Sequence, residues 1–495
     1  MIIVPSSAPS AKNRFIWFQG RLNKLPSSLF GFFSAIFRLP VLRSLVTPGC
    51  ILDLLKEPFR KSYFPKTKRQ SSRQALKDES IETFMHRRFG TTLGRRLTTN
   101  VLSAVLHGIY AADTKQLSVR STLPMLYNTE QKHGSLLRAM LPPKWNSRYR
   151  APTPHQEKLA RAEQQELALA RDYVGQTAGE DLMKQLDTAS VFSFKNGIGE
   201  LITALVDDLR TRTNVSIQLD EGATSLSTRK GTDELRLTTT KGNTLTPSHV
   251  VSALPSSTLA SLIGTGTKDS VKVKEEDPRN VSNILTYNPS ATVTVVNVVL
   301  PASRSRSRKR TQTQARPMKV DEGFGFLIPR AEAEASTNPD GILGVVFDSD
   351  AIPGQDEYAH TKLTVMIGGP HYVDRKTPLP GEKKSRKVAL HALEKYLKVR
   401  PSLTNHPHTL VRVKMQEDCI PTYLPGHFSR MRTLHDVLSS GEILHGKLSV
   451  AGASYVGVSL NDIVRHSMKL GQALAKERKS TASTATGLEH FAASD

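Results

Sequence analysis

Apolar and polar positions along this chain recur with two different periods, and the change of period divides it. From residue 25 to about 186 the apolar residues cluster at helical spacing, broken by Gly and Pro. "SSLFGFFSAIFRLPVLRSLV" opens with Ser27 and Ser28 as candidate N-caps, and Pro40 breaks the run. "SIETFMHRRFGTTLGRRLTTNVLSAVLHGIYAAD" alternates helix with Gly-marked turns, and "HQEKLARAEQQELALARDYV" is a long polar helix. From Val191 the period falls to two. "SVFSF", "VSIQL", "ELRLTTT" and "HVVSAL" are predicted strands, with one helix of period near 3.6, "IGELITALVDDLR", set among them. A second series follows in "ATVTVVNVVL", "GFGFLIP", "ILGVVFDS" and "LTVMIGG", where Thr292 to Val295 alternate as a half-buried strand should. There is no internal repeat. The pattern predicts an α+β, multi-layer fold whose strand blocks are interrupted by helical and loop insertions.

The last clear block, "LSVAGASYVGVSLNDIVRHSMKLGQAL" at 448–474, reads as a buried strand, a Gly-rich turn and a helix. Gly452 and Gly457 remove side chains where a backbone turns or approaches a ligand. Ser459 and Asp462 make a capping-box-like helix start, and Val464, Met468 and Gly471 share a face that could pack on a sheet. Free N–H groups at a helix start suit an anion, a cofactor pyrophosphate among them. An ordinary strand–turn–helix connection has the same pattern.

Charge changes the picture less than its size suggests. The 68 Lys+Arg against 45 Asp+Glu give +23, a balance compatible with nucleic acid, an anionic membrane or acidic substrates. Much of it lies in loop-like runs, "PKTKRQSSRQ", "ASRSRSRKRTQTQARPMK" and "GEKKSRK", and no basic platform interleaved with aromatics appears, so nucleic acid is not an expected partner. Two cysteines, Cys50 and Cys419, give neither a disulfide framework nor a Cys-based metal site. Cys50 is expected in a core or on a membrane-facing surface. His406 and His408 flank a Pro in a loop and read as solvated rather than metal-bound; no metal is expected. Ser454 lacks the G-x-S-x-G spacing of a nucleophile elbow, and neither Asp348 nor His427 is assigned catalysis.

Several blocks carry a family resemblance. "FMHRRFG", "GIYAADTKQLSVRSTLPML", "EQKHGSLLRAM", "FSFKNGIGELITALVDDL", "HVVSALPSSTL", "GFGFLIP", "LGVVFDS", "LTVMIGG", "IPTYLPGH" and "AGASYVGVSLNDIV" resemble, in order, segments of the oxygen-dependent protoporphyrinogen oxidases, a branch of the flavin amine oxidase-like superfamily. They cover most of residues 14–475. The resemblance implies a discontinuous FAD-binding domain, a mixed-sheet substrate domain and a helical membrane-associated domain. Its domain map is 25–186 for membrane and substrate entry, 187–265 with 440–476 for the remaining FAD-binding parts, 280–435 for the substrate sheet, and a disordered tail at 477–495. The N-terminal βαβ unit with its fingerprint is expected to be missing, since G-x-G-x-x-G occurs nowhere.

By the same resemblance Ala223 meets the adenine half of FAD, and Ala453, Val458, Ser459 and Leu460, with Gly452 and Gly457, lie near the isoalloxazine and ribityl chain. At "LPSSLFGF" the family often has an Arg where Phe30 stands, which removes an obvious carboxylate clamp. No catalytic residue is assigned. The implied activity is six-electron oxidation of protoporphyrinogen IX by molecular oxygen. A carotenoid desaturase-like enzyme or an inactive, flavin-free homologue are the alternatives, and a homodimer is possible.

The stretch 29–61 is too broken to span a bilayer yet more apolar than a surface helix. It reads as a monotopic face, with Phe32, Phe33, Ile36 and Phe37 in the interface and Arg38, Arg43 and Arg60 at anionic headgroups. By resemblance the membrane is the mitochondrial inner membrane. No targeting peptide is visible.

Overall fold

A computed structural model describes residues 1–26, 39–60, 78–146, 149–229, 231–266, 279–301, 317–334, 336–356, 360–373, 379–477 and 485–492. In chain order they begin with strands β1 (Ile2–Pro5), β2 (Arg14–Phe18) and β3 (Arg21–Lys24). Helices α1 (Pro48–Lys56), α2 (Ile81–Phe89), α3 (Ser103–Tyr110) and α4 (Pro154–Ala178) come next, then β4 (Ala189–Ser193) and helix α5 (Gly199–Arg210). Strands β5 (Ala223–Thr228), β6 (Leu235–Thr239), β7 (Thr244–Leu245) and β8 (Val250–Ser252) precede helix α6 (Ser256–Gly266). Strands β9 (Ser290–Pro301), β10 (Gly325–Leu327), β11 (Ile342–Val346) and β12 (His360–Gly368) lead to helix α7 (Glu382–Leu397). Last come β13 (Leu410–Pro421), helix α8 (His427–Ser439), β14 (Leu448–Val450), helix α9 (Leu460–Glu477) and the single turn α10 (Glu489–Ala492).

The largest sheet has seven strands in the order β13-β9-β12-β11-β10-β2-β3. β9 lies between β13 and β12, and its Val296, Val298 and Leu300 bury one face at the period of two that the sequence showed. Val296 and Val298 register with Val365 and Leu363 of β12 and with Val413 and Val411 of β13. Helix α7 covers this face with Ala389, Leu393, Tyr396 and Leu397. The sheet is mixed because β10 runs parallel to β2. The strands expected from 280–435 are thus completed by a hairpin from residues 14–24. Gln19 and Gly20, both at positive φ, form its two-residue turn.

The helical part is organised around buried charge. Arg88 and Glu57 are both 0% exposed and ion-paired, and Glu57 also accepts from the Ser135 hydroxyl and from Leu136 N–H at 3.0 Å. Arg87 bridges Glu79 at 2.5 Å and Glu130 at 2.7 Å. Cys50 lies in this core. Arg60, expected at headgroups, is held by Asp53 at 2.5 Å. Ser27, Ser28, Phe30, Phe32, Phe33, Ile36, Phe37 and Arg38 lie outside the described residues.

Two further expectations need correction. "VSIQL" at 215–219 is not a strand; it pairs with no described strand and leaves Ile217 and Leu219 exposed. The tail is ordered over 485–492, because its backbone and one aromatic side chain find partners. Val450 N–H donates to Thr486 O at 2.9 Å, and buried Phe491 packs edge-on against Phe428 at 5.0 Å.

Candidate functional site

The 448–474 block folds as β14, a turn and α9, and what holds it comes from elsewhere in the chain. β14 pairs parallel with β8, Leu448 opposite Val250 and Val450 opposite Ser252. The pairing continues into the turn, where Ala451 N–H donates to Ser252 O at 2.9 Å. Gly452 follows at φ +113°, a conformation L side chains rarely adopt. Among the described residues a Cβ there would have only Ala253 O within 4 Å, at 3.6 Å, so this side of the turn is open to a close-approaching group. Ser454 Oγ accepts from Ser256 N–H at 3.1 Å and stitches the turn to the start of α6.

Gly457 is needed for a different reason. A Cβ at that position would lie 2.6 Å from Asp462 Oδ2. That carboxylate folds back on the start of α9, accepting from Ser459 Oγ at 2.6 Å while Ser459 Oγ accepts from Asp462 N–H at 3.1 Å. Asp462 is thus the anionic group at this helix start, where it caps the first turn together with Ser459. The expected packing face of α9 needs correction. Val464, Met468 and Gly471 are exposed, and the helix instead buries His466 and Leu470.

Beneath the turn lie two stacked rings that sequence reasoning left unassigned. Tyr423 and His427 are 4.2 Å apart and within 10° of parallel. Tyr423 Oη donates to Ala453 O. Asn288 fixes the imidazole: its Oδ1 accepts from Leu424 N–H at 3.1 Å, so its Nδ2 donates to His427 Nδ1 at 2.7 Å. His427 Nε2 therefore carries the proton and donates to Tyr455 O at 2.9 Å. Burial keeps this imidazole neutral, lowering its pKa to about 4. Tyr110, from α3, lies edge-on to Tyr423 at 6.2 Å. Burial first, and then Asp462, push its hydroxyl up to about 12. Of the signals for these groups, only the "Y..GH" spacing in "IPTYLPGH" was available in the sequence.

The structure gathers Gly452, Ala453, Gly457, Val458, Ser459 and Leu460 into this one corner. Val458 packs toward the core that holds Tyr110 and Tyr423, and Leu460 is the first residue of α9. Ala223 lies elsewhere, at the start of β5 in a separate three-stranded sheet that packs on α6. His406 Nδ1 accepts from His408 N–H at 3.2 Å, and Asp348 accepts from Thr364 Oγ1 at 2.7 Å.

Residues 4–462 match the family described as flavin containing amine oxidoreductase. The chain belongs to this family. Among its relatives is the protoporphyrinogen oxidase of Schizosaccharomyces pombe, 30% identical over 96% of this chain and 81% of the relative. The protoporphyrinogen oxidase of Homo sapiens is 26% identical over 92% of this chain and 77% of the relative. A crystal structure of a putative protoporphyrinogen oxidase from Exiguobacterium sp. 255-15 has the same fold, with TM-score 0.59 and 18% identity over 96% of this chain and 82% of that one. Reduced UDP-galactopyranose mutase shares the fold as well, with TM-score 0.55 and 13% identity over 97% of this chain and 81% of that one. One fold thus hosts different chemistries, and the fold alone does not choose between them.

Proposed function

We propose that this chain oxidises protoporphyrinogen IX to protoporphyrin IX, using FAD and molecular oxygen and releasing hydrogen peroxide. The observation that carries the reading is the 30% identity to the Schizosaccharomyces pombe protoporphyrinogen oxidase over 96% of the chain. The corner suits a flavin. Gly452 leaves one side of the turn open, and the small residues around it allow backbone groups near a bulky planar ring. A flavin bound there would supply the two-electron acceptor, and three oxidations by three oxygen molecules account for six electrons. The protein's part is placement: Tyr110 and Tyr423 close the inner side of the turn as neutral groups, and Asp462 sets the start of α9.

The proposal extends to a monotopic membrane face. Helix α1 exposes Ile51, Leu52 and Leu55, and Phe59 beyond it is 78% exposed. Arg138 sits over the Phe59 ring at 5.9 Å, and exposed Met140, Leu141 and Trp145 follow it in sequence. Among the described residues no helix is long and apolar enough to cross a membrane. An apolar surface with basic neighbours suits the headgroup boundary, and a macrocycle with propionates at one edge is well served by an entrance there. The mitochondrial inner membrane is the compartment this reading favours.

The test is reconstitution with FAD and a fluorescence assay for porphyrin, with and without oxygen. Stoichiometric flavin absorbance, oxygen-dependent porphyrin formation and peroxide are expected. A chain that holds FAD but leaves porphyrinogen at its spontaneous oxidation rate overturns the substrate, and a chain that takes up no flavin overturns the cofactor.

A further inference from the structure

We propose that Tyr423 and His427 are positioning residues that fix which backbone groups of the 451–457 turn face the bound cofactor. The proposal rests on the flavin reading above. Tyr423 Oη draws the carbonyl of Ala453 inward, and His427 Nε2 draws the carbonyl of Tyr455 inward at 2.9 Å. In a trans peptide the N–H points opposite to the C=O. The amides of Ser454 and Val456 are therefore turned away from the rings, toward the other side of the turn. The described hydrogen bonds give neither amide an acceptor. Two amide donors held in this way suit an acceptor-rich planar ring whose reduced form carries more negative charge.

The holding groups are themselves over-determined. Tyr423 and His427 are 1% and 2% exposed and stacked, so neither ring can tilt without displacing the other. Asn288 leaves His427 only the tautomer that donates at Nε2, and the edge of Phe491, 6.2 Å away, closes the remaining side. A merely structural pair would be satisfied by packing. Each ring of this pair donates to an inward carbonyl of one turn, at Ala453 and at Tyr455 two residues on, while the Tyr455 hydroxyl has no partner among the described residues.

Three variants of the flavin-loaded protein test this: Tyr423→Phe, which keeps the stack and removes one donor, His427→Leu, which removes the other, and His427→Gln, whose amide can still donate. The expected result is a displaced flavin absorbance band in Tyr423→Phe and His427→Leu. A threefold to tenfold loss of preference for reduced over oxidised flavin should accompany it, up to about 30 mV downward for a two-electron couple. Both effects should be largely restored in His427→Gln. An unchanged band and potential in Tyr423→Phe and His427→Leu, with flavin still bound, overturn the proposal. If the wild-type chain takes up no flavin, the functional reading falls instead, and hydrogen exchange at the Ser454 and Val456 amides then decides the positioning claim. The same measurement decides for any variant that emerges flavin-free. Altered exchange in Tyr423→Phe at unchanged melting temperature supports the claim, and unchanged exchange overturns it.

Discussion

At the scale of single residues, two glycines that look alike in the sequence do different work. Gly452 is required by its backbone, at φ +113°, and Gly457 by the Asp462 carboxylate that a side chain would strike. The two causes separate by experiment. Gly452→Ala is expected to cost about 1–3 kcal/mol, through strain that no second substitution relieves. Gly457→Val should destabilise by a similar amount, and adding Asp462→Ala should recover part of the loss, although that change also removes the α9 cap. A double-mutant cycle by denaturant unfolding measures this, and strictly additive effects would show that Asp462 is not what Gly457 accommodates. Sequence reading singled out both glycines and missed the contact, because five residues of separation say nothing about where a carboxylate folds back.

Elements show a different division between what is local and what is not. The 3.6-residue period identified α5, yet its Ile202, Leu205 and Leu209 stripe is exposed, so the period fixed the element's type and not its cover. "VSIQL" has the composition of a strand but no described neighbour to pair with. For the membrane face, the element that bears the prediction is α1 with the turn after it. Leu55→Asp with Phe59→Asp is expected to release the protein from cardiolipin-containing liposomes. Circular dichroism should be unchanged, since both side chains are exposed. A folded double variant that still sediments fully with the vesicles removes this surface from the proposal.

Across the whole molecule, buried neutral histidines join parts distant in sequence. His107 of α3 bonds Ile328 O through Nδ1 at 3.0 Å, joining the helical part to the large sheet, while His427 joins α8 to the 451–457 turn. Burial lowers both to about 4 from the ordinary 6.5. A pKa lower in the folded than in the unfolded chain means that the unfolded chain binds more protons in acid. The contribution is fully present above about pH 6.5 and is lost as pH falls toward 4, by about 1–3 kcal/mol for each histidine. Calorimetry from pH 7 to 4.5 should show a falling melting temperature, with a shallower fall in His107→Asn. Equal slopes in the two proteins would mean that His107 does not carry this dependence.

The sequence by itself determined the type of most elements, the antiparallel series from 290 to 368, the strand–turn–helix that forms the candidate corner, and the family to which the chain belongs. These are local or order-based properties: a period of two or 3.6, a capping pair three residues apart, blocks in succession. Only the tertiary structure decided that residues 14–24 complete the seven-stranded sheet and that 485–492 dock beside β14. It alone brought Asn288, Tyr423 and His427 under the turn at 451–457. Those pairings join residues up to about three hundred positions apart. Their hydrogen bonds and packing exist only once the chain has closed on itself, so no local pattern records them.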